Sequence, residues 1–263
     1  MATTLRVEKS GPRADVVLAR PDVRNAFNEV VIRELREAFD GLGADAAVRV
    51  IVLRGEGKVF SAGAYVEWMR RMAGLSKDEN RKDAEAMAGM FRAIAGCPKY
   101  VIARGHGAAL GGGTGLTAAA DVAVAAADTT FGFTESKLGI VPAVISEVVL
   151  RKIGPGHARA LFPTGERFDA AEARRIGLVA EVVDAAALDA AVARRAAEAL
   201  TAGPAAVAAA KRLLEDREAW ASLPPAERDR RAAGFIADLR ATPEAQEGLK
   251  AFLEKRKPGW CAP

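Results

Sequence analysis

Three stretches of this 263-residue chain hold residue types at spacings that can do chemistry. The first is Val59-Phe60-Ser61-Ala62-Gly63-Ala64-Tyr65. Small residues where a strand gives way to a helix let a ligand come close to a backbone N–H. The second is Gly105-His106-Gly107-Ala108-Ala109-Leu110-Gly111-Gly112-Gly113-Thr114-Gly115. Consecutive glycines opening a helix leave N–H donors unhindered and add the positive end of the helix dipole. A phosphate cradle is one reading, but no Gly-Lys-Ser/Thr completes a P-loop, and Gly-Gly-Gly departs from the dinucleotide fingerprint. Two separate turns, each presenting one N–H, suit a single carbonyl oxygen instead, as an oxyanion hole. The third stretch is Phe131-Gly132-Phe133-Thr134-Glu135-Ser136-Lys137-Leu138-Gly139-Ile140-Val141-Pro142. Here Glu135 stands among Phe131, Phe133, Leu138 and Ile140, surroundings that raise a carboxyl pKa and suit it to acid–base work. Each stretch alone also fits a plainer alternative: a tight turn without a ligand for the first, a glutamate paired with Lys137 or Arg151 for the third.

These turns need a scaffold. Half the residues are hydrophobic and 27% are charged, which excludes intrinsic disorder and allows a sizeable core. The net charge of +4 is spread along the chain without a basic run or a basic–aromatic platform, so nucleic acid is not the expected partner. Two cysteines, Cys97 and Cys261, and two histidines, His106 and His157, cannot build a disulfide framework or a Cys-rich zinc site. With no apolar run of signal or membrane-span length, the chain reads as cytoplasmic and metal-independent. Strand-like runs at 5–7, 16–19, 50–53 and 100–103 alternate with helical stretches. One of these helices is capped by Asn28 and carries Val31, Leu35, Ala38 and Leu42. Another spans 77–95 with Ala84, Met87, Met90, Phe91 and Ile94 as its apolar stripe. A short helix at 66–72 follows the first small-residue turn, and further strand-like pieces lie at 122–125 and 130–133. Alternation of this kind predicts an α/β core with parallel crossovers. From 185 onward the chain is helix-permissive (185–200, 204–214, 225–239, 243–254), with Pro204, Pro225 and Pro243 suited to first turns. Such an Ala-rich block has to pack on the core or on another subunit.

In this order the three stretches resemble the enoyl-CoA hydratase/isomerase (crotonase) superfamily. Arg20-Pro21-Asp22-Val23-Arg24-Asn25-Ala26-Phe27 and Gly248-Leu249-Lys250-Ala251-Phe252-Leu253-Glu254-Lys255-Arg256 extend the likeness to nearly the whole chain. Leu138-Gly139-Ile140-Val141-Pro142-Ala143-Val144-Ile145-Ser146 is most similar to bacterial methylglutaconyl-CoA hydratase-like members. The resemblance implies an α/β fold, a spiral of ββα units over residues 1–200, with a C-terminal helical region at 201–263 that forms trimers or dimers of trimers. It implies that the N–H groups of Ala64 and Gly112 form the oxyanion hole for a thioester carbonyl and that Glu135 is the acid/base. Substrate contacts are expected at Arg24, Ala26, Ala62, Ala64, Tyr65, Val66, Gly112 and Pro142. Phe252 and Lys255 match positions that touch CoA bound to an adjacent subunit. Coenzyme A would enter as part of the substrate, and no separate cofactor or metal is implied.

Two positions depart from the family pattern. Hydratases commonly carry a second glutamate just after the glycine run, where this chain has Gly115; the aspartate often found after the oxyanion alanine is Tyr65. Expected is hydration of a short or branched 2-enoyl-CoA, 3-methylglutaconyl-CoA among them, with Glu135 splitting one water. A 3-enoyl to 2-enoyl-CoA isomerase with Glu135 as a single proton shuttle is the alternative, and a non-hydrating acyl-CoA binder a third. Tyr65, Trp68, Met69 and Met72 are either acyl-pocket residues or plain core.

Overall fold

The computed structural model describes residues 4–261. In chain order the elements are β1 (Leu5–Ser10), β2 (Arg13–Leu18), α1 (Glu29–Ala44), β3 (Val50–Gly55), α2 (Val66–Met72), α3 (Lys77–Ala95), β4 (Tyr100–Gly105), β5 (Ala108–Leu110), α4 (Gly112–Ala119), β6 (Val122–Ala126) and β7 (Thr130–Gly132). They continue with α5 (Ala143–Leu161), β8 (Arg167–Asp169), α6 (Ala170–Arg175), β9 (Glu181–Val183), α7 (Leu188–Ala199), α8 (Pro204–Ala219), α9 (Pro225–Arg240) and α10 (Pro243–Leu253). Among the described residues, six strands form one sheet in the order β1-β2-β3-β4-β6-β9, and β5-β7-β8 form a second. The hairpin β1–β2 is antiparallel, and every other pairing in the larger sheet is parallel. The expected α/β spiral is what the chain forms.

A parallel sheet is covered on both faces, so its strands read as continuous apolar runs. Val50, Ile51, Val52 and Leu53 are all fully buried, and their side chains alternate. Ile51 and Leu53 join the core built with α1, α3 and α4, while Val50 and Val52 face Leu188, Ala191 and Val192 of α7. Local signals set the helices that carry the site. Asn28 caps α1 by accepting from Val31 N–H at 3.0 Å, and Ser76 and Glu79 form a reciprocal capping box on α3.

The helix α5 has no counterpart among the sequence expectations. Gly154, at φ 69°, and Pro155 break its apolar period in the middle. Beyond α7 the chain is held to the core by polar clamps rather than by bulk. Lys211 Nζ donates to Asp121 Oδ2 at 2.7 Å and to Lys99 O at 2.9 Å, and Arg49 donates to the carbonyls of Leu200, Ala202 and Trp260. Phe252 and Leu253 on α10 are 80% and 78% exposed. Among the described residues no helix is long and apolar enough to cross a membrane.

Candidate functional site

The two glycine-bearing turns are stitched to each other by main-chain bonds. Ser61 N–H donates to Ala108 O at 3.1 Å and Leu110 N–H to Ser61 O at 3.0 Å, so the turn after β3 lies against β5. The same turn is bridged to the segment before α1: Phe27 N–H donates to Gly63 O at 2.7 Å and Tyr65 N–H to Phe27 O at 2.8 Å. In a parallel bridge of this kind the middle residue, Ala64, directs its own N–H away from the partner strand. Gly63, at φ +86°, has no room for a side chain: a Cβ there would meet Leu110 O at 2.6 Å and lie 3.6 Å from Gly112 N. A Cβ on Gly112 would meet the Phe27 ring at 2.7 Å. Gly112 opens α4, where first-turn N–H groups have no intrahelical acceptor. Among the described residues neither Ala64 N–H nor Gly112 N–H donates to a backbone carbonyl. Two unspent donors therefore stand on turns in mutual contact. Between β4 and the glycine run, β5 intervenes and supplies the pairing edge.

Glu135 sits on the 3-10 turn Thr134–Leu138. Its Oε1 lies 3.2 Å, and its Cδ 3.6 Å, from where a Cβ on Gly111 would be, beside the N-terminus of α4. Oε2 is shielded from solvent and has no hydrogen-bond partner. Burial pushes its pKa above the ordinary glutamate value, with its own backbone N–H opposing the rise. The ion pairs that the plainer reading offers do not form: Arg151 pairs with Glu147 and Glu218 instead. Of the four apolar neighbours expected around Glu135, Phe131 and Phe133 are fully buried, but Leu138 and Ile140 are 60% and 57% exposed. They stand on the cavity rim because Gly139, left-handed at φ 74°, turns the chain outward.

All of this opens on one cavity of about 810 Å³. Arg24, Ala26, Ala62, Ala64, Tyr65, Val66, Gly112, Glu135 and Pro142 all line it, as do Trp68, Met69 and Met72. Phe252 and Lys255 are not on its wall. Position 115 is closed. A Cβ on Gly115 would meet Ile145 Cγ2 at 2.5 Å and Phe91 Cε1 and Cζ at 3.0 Å, so apolar side chains fill the space where a second acid would start. Thr114 is spent on structure, its hydroxyl donating to Ala109 O at 2.6 Å. At Tyr65 the ring takes the Arg20 guanidinium at 5.0 Å from its centroid, and Arg20 Nη1 donates to Ala26 O at 2.6 Å. That pair ties the Ala64 turn to the 24–26 segment.

Two residues in and beside the cavity wall escape sequence reasoning. Asp83 and its α3 neighbours Ala84 and Met87 line the cavity. Asp83 falls in step with Met87 and Phe91 at i, i+4 and i+8, a register that could have separated it from the solvated face. Asn25 is 1% exposed and left-handed, at φ 53°. It accepts from Arg20 N–H at 3.0 Å and donates to Glu56 O at 2.8 Å and Val59 O at 2.9 Å. Asn25→Ala removes the donor to Glu56 O and Val59 O and the acceptor for Arg20 N–H, and is expected to cost about 2–4 kcal/mol, read by urea denaturation. A loss below ~1 kcal/mol would contradict the clamp.

The family model described as enoyl-CoA hydratase/isomerase matches residues 10–263. A crotonyl-CoA hydratase of Syntrophomonas wolfei is 35% identical over 257 residues, covering 95% of each chain. Among solved structures, an enoyl-CoA hydratase from Shewanella pealeana superimposes with TM-score 0.94 at 36% identity, covering 98% of this chain and 96% of that one. AtuE of Pseudomonas aeruginosa gives TM-score 0.92 at 36% identity, covering 98% and 100%.

Proposed function

Because the chain belongs to the enoyl-CoA hydratase/isomerase family, we propose that it hydrates a short or branched 2-enoyl-CoA with Glu135 as its single acid/base. The observation that carries this reading is the Glu135 carboxyl beside the Gly111–Gly112 turn, unpaired at Oε2, in one cavity with Ala64 and Gly112. The thioester oxygen would accept from Ala64 N–H and Gly112 N–H. Ionised Glu135 takes a proton from water, the hydroxide oxygen bonds to C3, and the electron pair of the C2–C3 bond moves onto the thioester as an enolate. The two donors stabilise that charge, a contribution of about 2.7–4 kcal/mol per donor in comparable sites. Glu135 then returns its proton to C2, which collapses the enolate. One carboxyl serves as base and acid in turn, so the filled space behind Gly115 does not stop the cycle.

The cavity supports short or branched acyl groups: Trp68, Met69, Met72, Met87 and Ile145 give it an apolar wall. For 3-methylglutaconyl-CoA, Lys137 and Arg167 are the cations on the wall, besides Arg24, that would meet the second carboxylate. The exposed Phe252 and Leu253 suit burial against another copy of the chain, in a trimer or a dimer of trimers. The absence of a second acid at position 115 also favours the isomerase reading, in which one carboxylate moves a proton from C2 to C4 and no water is consumed. Turnover of crotonyl-CoA and 3-methylglutaconyl-CoA in H₂¹⁸O separates the two. Label in the 3-hydroxyacyl product is the expected result. No label with either substrate, together with conversion of 3-hexenoyl-CoA to its 2-isomer, overturns hydration.

A further inference from the structure

Ser61 is fully buried, and its hydroxyl is a polar group that the hydration cycle does not use. It stands behind the cavity wall, which is formed here by Ala62, Gly63 and Ala64. Its Oγ donates to Asn25 O at 2.9 Å and accepts from Gly63 N–H at 3.3 Å. Both partners have unusual backbone. Asn25 and its neighbour Arg24 are left-handed, at φ 53° and 55°, a conformation that residues with side chains keep only where their surroundings hold it. Arg24 O accepts from Ala62 N–H at 2.9 Å, so the turn at 61–62 takes the carbonyls of both left-handed residues. Gly63, at φ +86°, joins two peptide planes and resists their mutual rotation less than any other residue type would. The plane after it carries Gly63 O and Ala64 N–H, which point in opposite directions across a trans peptide. Phe27 N–H holds that oxygen at 2.7 Å. The plane before it carries Gly63 N–H, which among the described residues donates to no backbone carbonyl and has Ser61 Oγ as its acceptor.

We propose that Ser61 is a positioning residue for the oxyanion hole: its hydroxyl ties the plane before Gly63 to Asn25 and thereby fixes where Ala64 N–H points. With both planes pinned, the freest residue of the turn has one conformation left to it. Without the hydroxyl, Gly63 N–H and Asn25 O lose their partner in the interior. Rotation about Gly63 relieves them, and it carries the Ala64 donor off the line to the thioester oxygen. Gly113 keeps the arrangement tight, since a Cβ there would meet Ser61 O at 2.5 Å and Ser61 Cβ at 3.0 Å. This inference rests on the oxyanion reading of Ala64 and holds whether the bound enoyl-CoA is hydrated or isomerised.

The test is isotope-edited infrared spectroscopy of bound hexanoyl-CoA carrying ¹³C at the thioester carbonyl, a saturated ester that undergoes no reaction. In the unaltered protein the carbonyl stretch is expected to fall below its frequency in water, because two aligned N–H donors polarise the bond. Ser61→Ala should lose about half of that fall, as one of the two donors goes out of line. It should also lower kcat, for whichever of the two reactions the enzyme performs, about tenfold while Kd for hexanoyl-CoA stays within roughly threefold. That is short of the roughly 10²–10³-fold that outright loss of a donor causes. Ser61→Cys, whose thiol donates and accepts more weakly from the same place, should give a stretch between the two. A hydroxyl that serves stability alone would lower Tm on removal and leave the stretch where it was. An unchanged stretch in Ser61→Ala therefore overturns the proposal. If that variant does not fold, Ser61→Cys decides, and a stretch equal to the parent's overturns it. No fall in the unaltered protein would defeat the oxyanion reading itself, so the two failures are told apart.

Discussion

Glu135→Gln is expected to lower kcat for hydration by about 10³-fold while the affinity for a saturated acyl-CoA stays within roughly threefold. An amide neither takes the proton from water nor returns it to C2, and here one group performs both transfers. The Ala64 and Gly112 donors and the apolar wall are untouched, so binding survives. The pH behaviour follows from the direction of the shift. Glu135 has to be ionised to begin the cycle, and burial holds its pKa above the ordinary glutamate value. The acid limb of kcat/KM should therefore fall at an apparent pKa above about 4.3, the unperturbed value. Stability carries the opposite sign. Below the unfolded-state pKa the carboxyl is protonated in both states and folding incurs no penalty. As pH rises toward the raised folded-state pKa, the unfolded chain releases this proton first and the native state loses ground. Glu135→Gln should consequently melt higher than the parent at pH 8 and without advantage at pH 4. An active variant, or one that gains nothing at pH 8, would remove Glu135 from the role assigned to it.

Why some of this was legible in the sequence and some was not comes down to the range of the interactions. The helix α3 is written locally, with Ser76 and Glu79 to start it and an apolar stripe at helical spacing, and it runs over Lys77–Ala95 as expected. The parallel strands are equally local, since a run such as Val50 to Leu53 has few other uses. The two turns were visible because glycine leaves a mark wherever backbones approach closely, and Gly63 against Leu110 O is such a place. What stayed hidden depends on partners distant in the chain. Asn25 looks like any polar loop residue until its side chain meets Glu56 O and Val59 O. Asp83 has the composition of a solvated helix face, and only the folded chain shows it on the cavity wall. The rim position of Leu138 and Ile140 escaped for a related reason: apolarity marks a side chain that gains from burial, and a ligand or a second chain can provide it as well as the core.

Gly115→Glu, the substitution that would supply the missing second acid, is expected to destabilise the protein by about 3–5 kcal/mol, some 10 °C in Tm, without speeding hydration. The new Cβ would start 2.5 Å from Ile145 Cγ2 and 3.0 Å from Phe91, both almost fully buried where α3, α4 and α5 meet. Overpacking accounts for part of the cost. The rest comes from pushing a carboxylate into a space lined by a methyl group and a ring, with no donor to meet it. Pairing the change with Ile145→Ala removes the closest contact and should recover a share of the lost stability, measured against Ile145→Ala alone. If Gly115→Glu instead folds at the parent Tm and hydrates crotonyl-CoA faster, the space behind position 115 is open. The chain would then differ from two-acid enzymes by one side chain only. The contact geometry says otherwise: Ile145 and Phe91 fill the space beside position 115, so on the single-acid reading the exclusion of a second carboxylate is a property of three helices packed together, and changing one residue does not undo it.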